Sequence, residues 1–158
     1  MDDFAAQLTV RPFERNDQDG VRELVLAGIR ERWDVLDESL NQDLNDFAST
    51  YGAGTTLTAW DGKRLVATGT LVPRGDGVGE ILRMSTAAAH RRQGVASRIL
   101  RELVAEARAR GMETLVLETA SHFTDARALY EAHGFVFDHE EAGEFCPDSY
   151  YRLALAPP

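Results

Sequence analysis

The chain has little of what marks secreted, membrane-bound or metal-binding proteins. It contains one cysteine, Cys146, among 158 residues, so no internal disulfide can form and a reducing compartment is expected. No apolar run approaches the ~20 residues of a membrane-spanning helix. The first residues, MDDFAAQL, lack the basic and apolar blocks of a secretory signal. These absences predict a cytoplasmic protein that has no membrane partner.

Positive charge is also scarce. The chain has 17 lysines and arginines but 26 aspartates and glutamates, which gives a formal net charge of -9. Such a surface repels phosphate backbones, so we expect no nucleic-acid partner. The four histidines show no metal-ligand spacing, so no metal is expected either. The net negative charge slightly favours a cationic or amine-bearing small molecule as the partner.

Hydrophobic periodicity and turn residues predict seven strands and four helices within a single domain spanning residues 1–158. The expected strands are Leu8–Phe13, Thr55–Trp60, Arg64–Val72, Glu80–Thr86, Thr114–Thr119, Phe135–Asp138 and Tyr150–Leu155. The expected helices are Asp17–Trp33, Glu38–Tyr51, Gly94–Arg110 and Asp125–Ala132. The strand–helix–strand order across residues 80–119 predicts one parallel pair with a right-handed crossover. The fold class is therefore a mixed α/β sheet.

The most informative stretch joins the fourth predicted strand to the long third helix. The first turn of a helix has unpaired N–H groups and a dipole that favours an anion. Gly94 and Ala96 keep side chains away from that turn, and three arginines surround it: Arg91, Arg92 and Arg98. The pattern favours a phosphate-bearing ligand, and the alternative is an ordinary packed helix start with solvated charges.

Two common nucleotide motifs are excluded. No Gly-Lys-Ser/Thr occurs, so a P-loop would lack its lysine and its magnesium-binding hydroxyl. The glycines at Gly75, Gly77 and Gly79 precede a strand rather than follow one, which is wrong for a dinucleotide fingerprint. A hairpin loop explains them better.

Two segments resemble signatures of the GNAT superfamily of acyl-CoA-dependent N-acyltransferases. Residues 91–96, RRQGVA, are similar to the pattern Arg/Gln-x-x-Gly-x-Gly/Ala, and residues 126–135, ARALYEAHGF, resemble Ala-x-x-Leu-Tyr-x-x-x-Gly-Phe. A long helix and a strand separate them, as in the family. The resemblance covers nearly the whole chain. It implies a mostly antiparallel sheet of about seven strands with a splayed parallel pair, about four helices, and acetyl-CoA between the fourth and fifth strands.

The same resemblance implies which residues bind the cofactor. N–H groups at the helix start would take the pyrophosphate, while main-chain groups of the fourth strand would pair with the pantetheine arm as an added strand would. A strand amide there would also polarise the thioester carbonyl. The residues so assigned are Met84, Ser85, Thr86, Arg91, Arg92, Gln93, Gly94, Val95, Ala96 and Ser97.

For the chemistry, Tyr130 matches the general acid that protonates the CoA sulfur in the family; without the motif it would be an ordinary helix aromatic. Glu80 corresponds to a glutamate that serves as base in the histone-acetylating branch, and we place it slightly ahead of its rival. That rival is Glu118, which lies in an apolar strand where burial is expected to make it a stronger base. A water chain is the third option.

One departure from the family concerns Phe123, which stands where many relatives place an asparagine that contacts the cofactor arm. Ser121, His122 or the backbone could replace that contact. The departure also motivates an alternative function, a non-catalytic acyl-CoA-binding sensor or interaction module on the same fold.

The predicted reaction is direct transfer of an acetyl group from acetyl-CoA to a primary amine of a small molecule or peptide. In the family the acceptor pocket lies between the first two helices and beside the last strand. This region carries Trp33, Asp34, Asp37, Glu38, Glu140, Glu141, Glu144 and Asp148. The acidic groups favour a cationic amine, unless they are simply a solvated surface. Edge-strand pairing or exchange of the last strand is compatible with a homodimer.

Overall fold

One seven-stranded sheet organises the computed structural model, which describes residues 3–33 and 37–155. The strands are β1 Thr9–Pro12, β2 Thr55–Asp61, β3 Arg64–Gly75, β4 Val78–Thr86, β5 Thr114–Ala120, β6 Val136–Glu141 and β7 Asp148–Ala154. The α-helices are α1 Phe4–Gln7, α2 Gln18–Arg32, α3 Phe47–Thr50, α4 Val95–Ala109 and α5 Thr124–Ala132. Across these two ranges, every helix is too short or too polar to cross a membrane.

The sheet has the order β1-β2-β3-β4-β5-β7-β6 and is antiparallel except between β4 and β5. Those two strands pair in parallel only from Val78 to Glu80 on β4, opposite Thr114 to Val116 on β5. Beyond that point neither strand pairs with the other within the described chain. The predicted mostly antiparallel sheet with one splayed parallel pair is confirmed, and the splay opens a cleft between β4 and β5.

Helix α4 packs on one face of the sheet through an apolar stripe. Ile99, Leu103 and Ala107 recur every four residues and are fully buried. Their approach requires Gly69 on β3, because a Cβ there would lie 2.8 Å from Ile99 Cγ2 and would also clash with Met84 Sδ. This close packing holds the N-terminus of α4 beside the end of β4.

The second predicted helix, Glu38–Tyr51, is the main error in the expected helices. A 3-10 segment, Glu38–Asn45, and the four-residue α3 replace it, because the backbone is extended at Asp46 (φ -153°). Gln18 of α2 satisfies the peptide groups freed by the break: its side-chain amide donates to Leu44 O at 2.8 Å and accepts from Phe47 N at 2.9 Å. The contact between Gln18 and this segment therefore stabilises the break in the helix, which the local hydrophobic periodicity does not indicate.

The start of α2 is held by a buried carboxylate. Asp17 is 5% exposed and accepts hydrogen bonds from Arg11 Nη1 at 2.7 Å and from the Glu14 N–H at 2.8 Å. The hydrogen bond from the Arg11 guanidinium lowers the pKa of Asp17 below its ordinary value of 3.8. The folded protein therefore stabilises the ionised Asp17 carboxylate more than the unfolded chain does.

This arrangement predicts an acid-sensitive contribution to stability. Because the folded pKa is depressed, the contribution is complete above about pH 4 and is lost as the pH falls through the folded pKa. We expect Asp17→Asn to lower the free energy of unfolding at pH 7 by about 2 kcal/mol, as for hydrogen bonds to charged groups. Urea unfolding at pH 7 and pH 3 measures this. An equal cost of the substitution at both pH values would contradict the assignment.

Candidate functional site

The cleft between β4 and β5 has a volume of about 960 Å³. Residues of α2, β4, the start of α4, β5 and α5 line it, together with Asp148 of β7, so elements from most of the length of the chain contribute to one site. Because β3 covers only one edge of β4, the other edge remains available inside the cleft.

The start of α4 forms one end of the cleft. Gly94 occupies the N-cap position in the left-handed region (φ +79°), a conformation that glycine adopts without strain. The first N–H group to bond within the helix is that of Arg98, which donates to the Gly94 carbonyl at 3.0 Å. The preceding N–H groups, from Val95 to Ser97, therefore have no partner within the helix and can bind a phosphate.

The three arginines around this turn have different surroundings. Arg91 Nη1 lies 2.5 Å from a Glu31 carboxylate oxygen, and Arg98 Nη1 donates to the Ala5 carbonyl at 2.6 Å. Arg98 thus ties α1 to α4 rather than facing a ligand. Arg92 lines the cleft, and no carboxylate of the described chain pairs with it. It is the best placed of the three to contact a phosphate.

The β4 edge has the geometry of an open strand. Ser85 and Thr86 are opposite Thr68 and Ala67 of β3, while their other side faces the cleft. The strand bulges at Arg83, which has a left-handed backbone (φ +55°). An extended pantetheine arm fits such an edge because its amides can pair as an added strand.

Tyr130 lines the same cleft from α5 and is 7% exposed. Burial raises the pKa of Tyr130 to about 12, so the phenol keeps its proton at neutral pH. The positive charge of Arg32 opposes this shift of the Tyr130 pKa, and the negative charge of Asp125 reinforces it. A protonated phenol inside the cleft can donate a proton to a leaving group.

The two candidate bases lie in different places. Glu80 is the last β4 residue paired with β5; Arg74 Nε donates to its carboxylate at 2.7 Å, and it is not among the described residues that line the cleft. Glu118 lines the cleft from β5, opposite Tyr150 of β7. Its side chain is exposed, contrary to the burial expected from the apolar strand. Tyr130 and Glu118 are therefore brought together, whereas Glu80 is held apart.

Nine of the ten predicted cofactor residues line the cleft. They are Met84, Ser85, Thr86, Arg91, Arg92, Gly94, Val95, Ala96 and Ser97. Gln93 is the exception, because it is exposed and its Nε2 donates to Ala89 O at 3.3 Å. Two of the three possible replacements for the missing asparagine, the side chains of Ser121 and His122, are not among the described residues that line the cleft. Ser121 Oγ donates to Glu140 at 2.9 Å, and His122 packs edge-on against Trp33. Phe123 itself lines the cleft.

Of the acidic residues predicted near the acceptor, Asp148 lines the cleft, as does the neighbouring aromatic Trp33. Asp34 lies outside the described residues. Within the part of the chain that the structure describes, no three His, Cys, Asp or Glu side chains form a group suited to a metal ion. Burial and the nearby Asp148 carboxylate raise the pKa of the Cys146 thiol, which opposes a role as nucleophile.

Two arginines that line the cleft form ion pairs with partners too far away in sequence to be predicted. Arg32 Nη2 of α2 lies 2.9 Å from Asp125 Oδ2 of α5, which joins the two helices across the cleft. Arg83 donates to Asp43 through Nε at 2.8 Å and Nη2 at 2.6 Å. The partners are separated by 93 and 40 residues.

Comparisons with known proteins agree with this geometry. Residues 19–135 match the model of the Acetyltransferase (GNAT) family. The chain is 44% identical over 85 residues to the uncharacterized N-acetyltransferase YsnE of Bacillus subtilis. That match covers 52% of this chain and 56% of the relative, so it spans little more than half of either protein.

Solved structures show the same fold at low identity. A GNAT-family acetyltransferase from Staphylococcus aureus superposes with a TM-score of 0.85 at 15% identity, covering 94% of this chain and 99% of the other. The acetyltransferase yncA of Salmonella typhimurium, solved with acetyl-CoA, has a TM-score of 0.75 at 16% identity and 94% coverage of both chains.

Proposed function

The chain belongs to the acetyltransferase (GNAT) family, and from that premise we propose that it transfers an acetyl group from acetyl-CoA to a primary amine by direct attack in a ternary complex. One observation carries the proposal. The splayed cleft holds, in one place, a helix start with free N–H groups, an open strand edge and a protonated tyrosine.

Acetyl-CoA fits as the donor. The N–H groups from Val95 to Ser97 and the Arg92 guanidinium would hold its pyrophosphate, and the left-handed Gly94 lets the backbone approach closely. The edge of β4 at Met84–Thr86 would hold the pantetheine arm. The structure of yncA with acetyl-CoA supports this assignment by likeness of fold. When bound, acetyl-CoA supplies the thioester that the amine attacks.

The chain's own groups would then move the protons. Glu118 would accept a proton from the ammonium group, which leaves a neutral nitrogen to form the new C–N bond. A β4 amide near Met84–Thr86 would donate a hydrogen bond to the carbonyl oxygen as negative charge develops on it. As the C–S bond breaks, Tyr130 would donate its proton to the sulfur, and the second proton of the attacking nitrogen would return to the tyrosine through water. The acetyl group thus moves from sulfur to nitrogen, and the ammonium group loses two protons, of which one ends on the CoA thiol and the other passes from Glu118 to solvent.

Glu118 and Glu80 can be distinguished by matched substitutions. We expect Glu118→Gln to lower kcat/KM for the amine about tenfold or more, because the amide cannot accept the ammonium proton. Glu80→Gln should have little effect, because its carboxylate is bound to Arg74 outside the cleft. The measurement is steady-state acetylation as a function of pH. The reverse ranking would assign the role of base to Glu80.

The first experiment combines calorimetric binding of CoA with thiol release from acetyl-CoA against a panel of amines. Binding together with amine-dependent thiol release is the expected result. Binding without turnover on any amine would favour the non-catalytic sensor. Absence of binding would overturn the assignment of the α4 start as the phosphate site.

A further inference from the structure

Aromatic side chains from three segments meet at one end of the cleft. Trp33 follows α2, Phe123 precedes α5, and Phe145 lies in the connection between β6 and β7. The Trp33 ring centroid is 5.3 Å from that of Phe123 and 6.0 Å from that of Phe145. Trp33 and Phe123 line the cleft, and Phe145 is 68% exposed beside them. We refer to Trp33, Phe123 and Phe145 as the aromatic wall.

Two carboxylates lie next to this wall. Asp148 of β7 is opposite Ala120 of β5, and Ala120 is three residues before Phe123. Glu118 is two residues before Ala120 on β5. Both line the cleft, and neither forms an ion pair with a cationic side chain of the described residues. Burial, together with the negative charges of Glu118 and Glu141, raises the pKa of Asp148. Uncompensated negative charge therefore lies beside the aromatic wall.

The arginines in this part of the cleft do not offset that charge. Arg32 is paired with Asp125, and its guanidinium also lies 4.4 Å from the Phe123 ring centroid. Arg83 is paired with Asp43 in a two-point contact. Neither is free to bind a carboxylate of an incoming molecule. This part of the cleft thus combines apolar aromatic surface with two carboxylates that no cationic side chain of the described residues neutralises.

We propose, on the basis of the acetyl transfer proposed above, that the acceptor is an arylalkylamine: a primary amine on an aromatic body without a neighbouring carboxylate. The ring packs against the aromatic wall, where offset or edge-to-face contacts with Trp33 and Phe145 are favourable. The ammonium group lies toward Glu118 and Asp148, beside the thioester. A carboxylate next to the amine would face these two acidic side chains and be repelled.

The test compares four amines with acetyl-CoA as donor: phenethylamine, phenylalanine, spermidine and butylamine. We expect kcat/KM for phenethylamine to exceed that of each of the other amines by roughly tenfold or more. A tenfold difference is the size of effect that the contacts of one well-packed aromatic ring produce. Phe145→Ala should raise KM for phenethylamine roughly tenfold and leave KM for acetyl-CoA unchanged. Phe145→Tyr should keep the wild-type values.

The matched control is Phe137→Ala. Phe137 is also an exposed ring, 46% accessible, but it lies on β6 and is not among the described residues that line the cleft. This variant should not change KM for phenethylamine. An equal effect of the two alanine substitutions would overturn the specific role of the aromatic wall.

A binding readout separates this inference from the proposed function. The chain has two tryptophans, and their indole N–H signals can be followed by NMR in the CoA-saturated protein. Phenethylamine should shift the Trp33 signal and leave that of Trp60, whose indole donates to Thr58 Oγ1 at 2.9 Å. If spermidine, butylamine or phenylalanine is acetylated in preference to phenethylamine, the arylalkylamine inference is overturned, but the proposed acetyl transfer is not. Acetylation of none of the amines, with CoA bound, would overturn both.

Discussion

Tyr130→Phe is expected to lower kcat by about 100-fold, within the range that a positioned general acid contributes. The substitution removes only the phenolic hydroxyl, and that hydroxyl accepts or donates no hydrogen bond among the described residues. The ring should therefore keep its contacts with Phe135 and Tyr151. Affinity for CoA, measured by calorimetry, should stay within a factor of two.

The pH dependence provides a second criterion. Because burial raises the pKa of Tyr130 to about 12, the acid stays protonated through the neutral and mildly alkaline range. Loss of activity through its ionisation should therefore begin only as the pH approaches that value. Tyr51→Phe is the matched control, since it removes a hydroxyl bound to Asp43 outside the cleft. Equal turnover by the two variants would remove Tyr130 from the role of acid.

The largest effect on stability is expected for Asp43→Ala. The Asp43 carboxylate accepts two hydrogen bonds from Arg83 and one from the Tyr51 hydroxyl, at 2.5 Å. Burial alone would raise the pKa of Asp43, but these hydrogen bonds outweigh it and the pKa is lowered. Removing the carboxylate leaves the Arg83 guanidinium, only 23% exposed, without its counter-charge.

We expect Asp43→Ala to lower the free energy of unfolding by about 3 kcal/mol, as when one partner of a buried ion pair is removed. Adding Arg83→Met should restore part of that loss, because the buried charge is then gone. Glu23→Ala, which removes exposed ion pairs with Arg22 and Arg30, should cost under about 0.5 kcal/mol. Urea unfolding of five proteins measures these values: the wild type, Asp43→Ala, Arg83→Met, the double variant and Glu23→Ala. Additive losses in the double variant would contradict the coupling.

Features that depend on local backbone chemistry were predictable. All seven strands occur within a few residues of their expected positions, because alternation and turn residues act over short distances. The helix start at Gly94 was predictable for the same reason, since a left-handed glycine and unpaired N–H groups are properties of one turn. The family membership inferred from residues 91–96 and 126–135 is confirmed.

Predictions that depended on long-range contacts succeeded less well. The expected helix Glu38–Tyr51 breaks at Asp46, where Gln18 of α2 supplies the hydrogen bonds that a continuous helix would have made internally. The preference for Glu80 over Glu118 as the base followed the position of Glu80 in the family and stays a prediction. The structure binds Glu80 to Arg74 and turns Glu118 into the cleft, which no pattern around either residue indicates.

The sequence by itself determined the positions of the seven strands, the parallel pair within residues 80–119, and the glycine-capped start of α4. Periodicity, capping and local charge act between near neighbours, so they can be read along the chain. Only the tertiary structure decided which charges are neutralised and which rings meet. Arg32 with Asp125, Arg83 with Asp43, and the aromatic wall each depend on how distant elements pack around the splayed strands. Those contacts form only when the sheet register and the helix positions are set together.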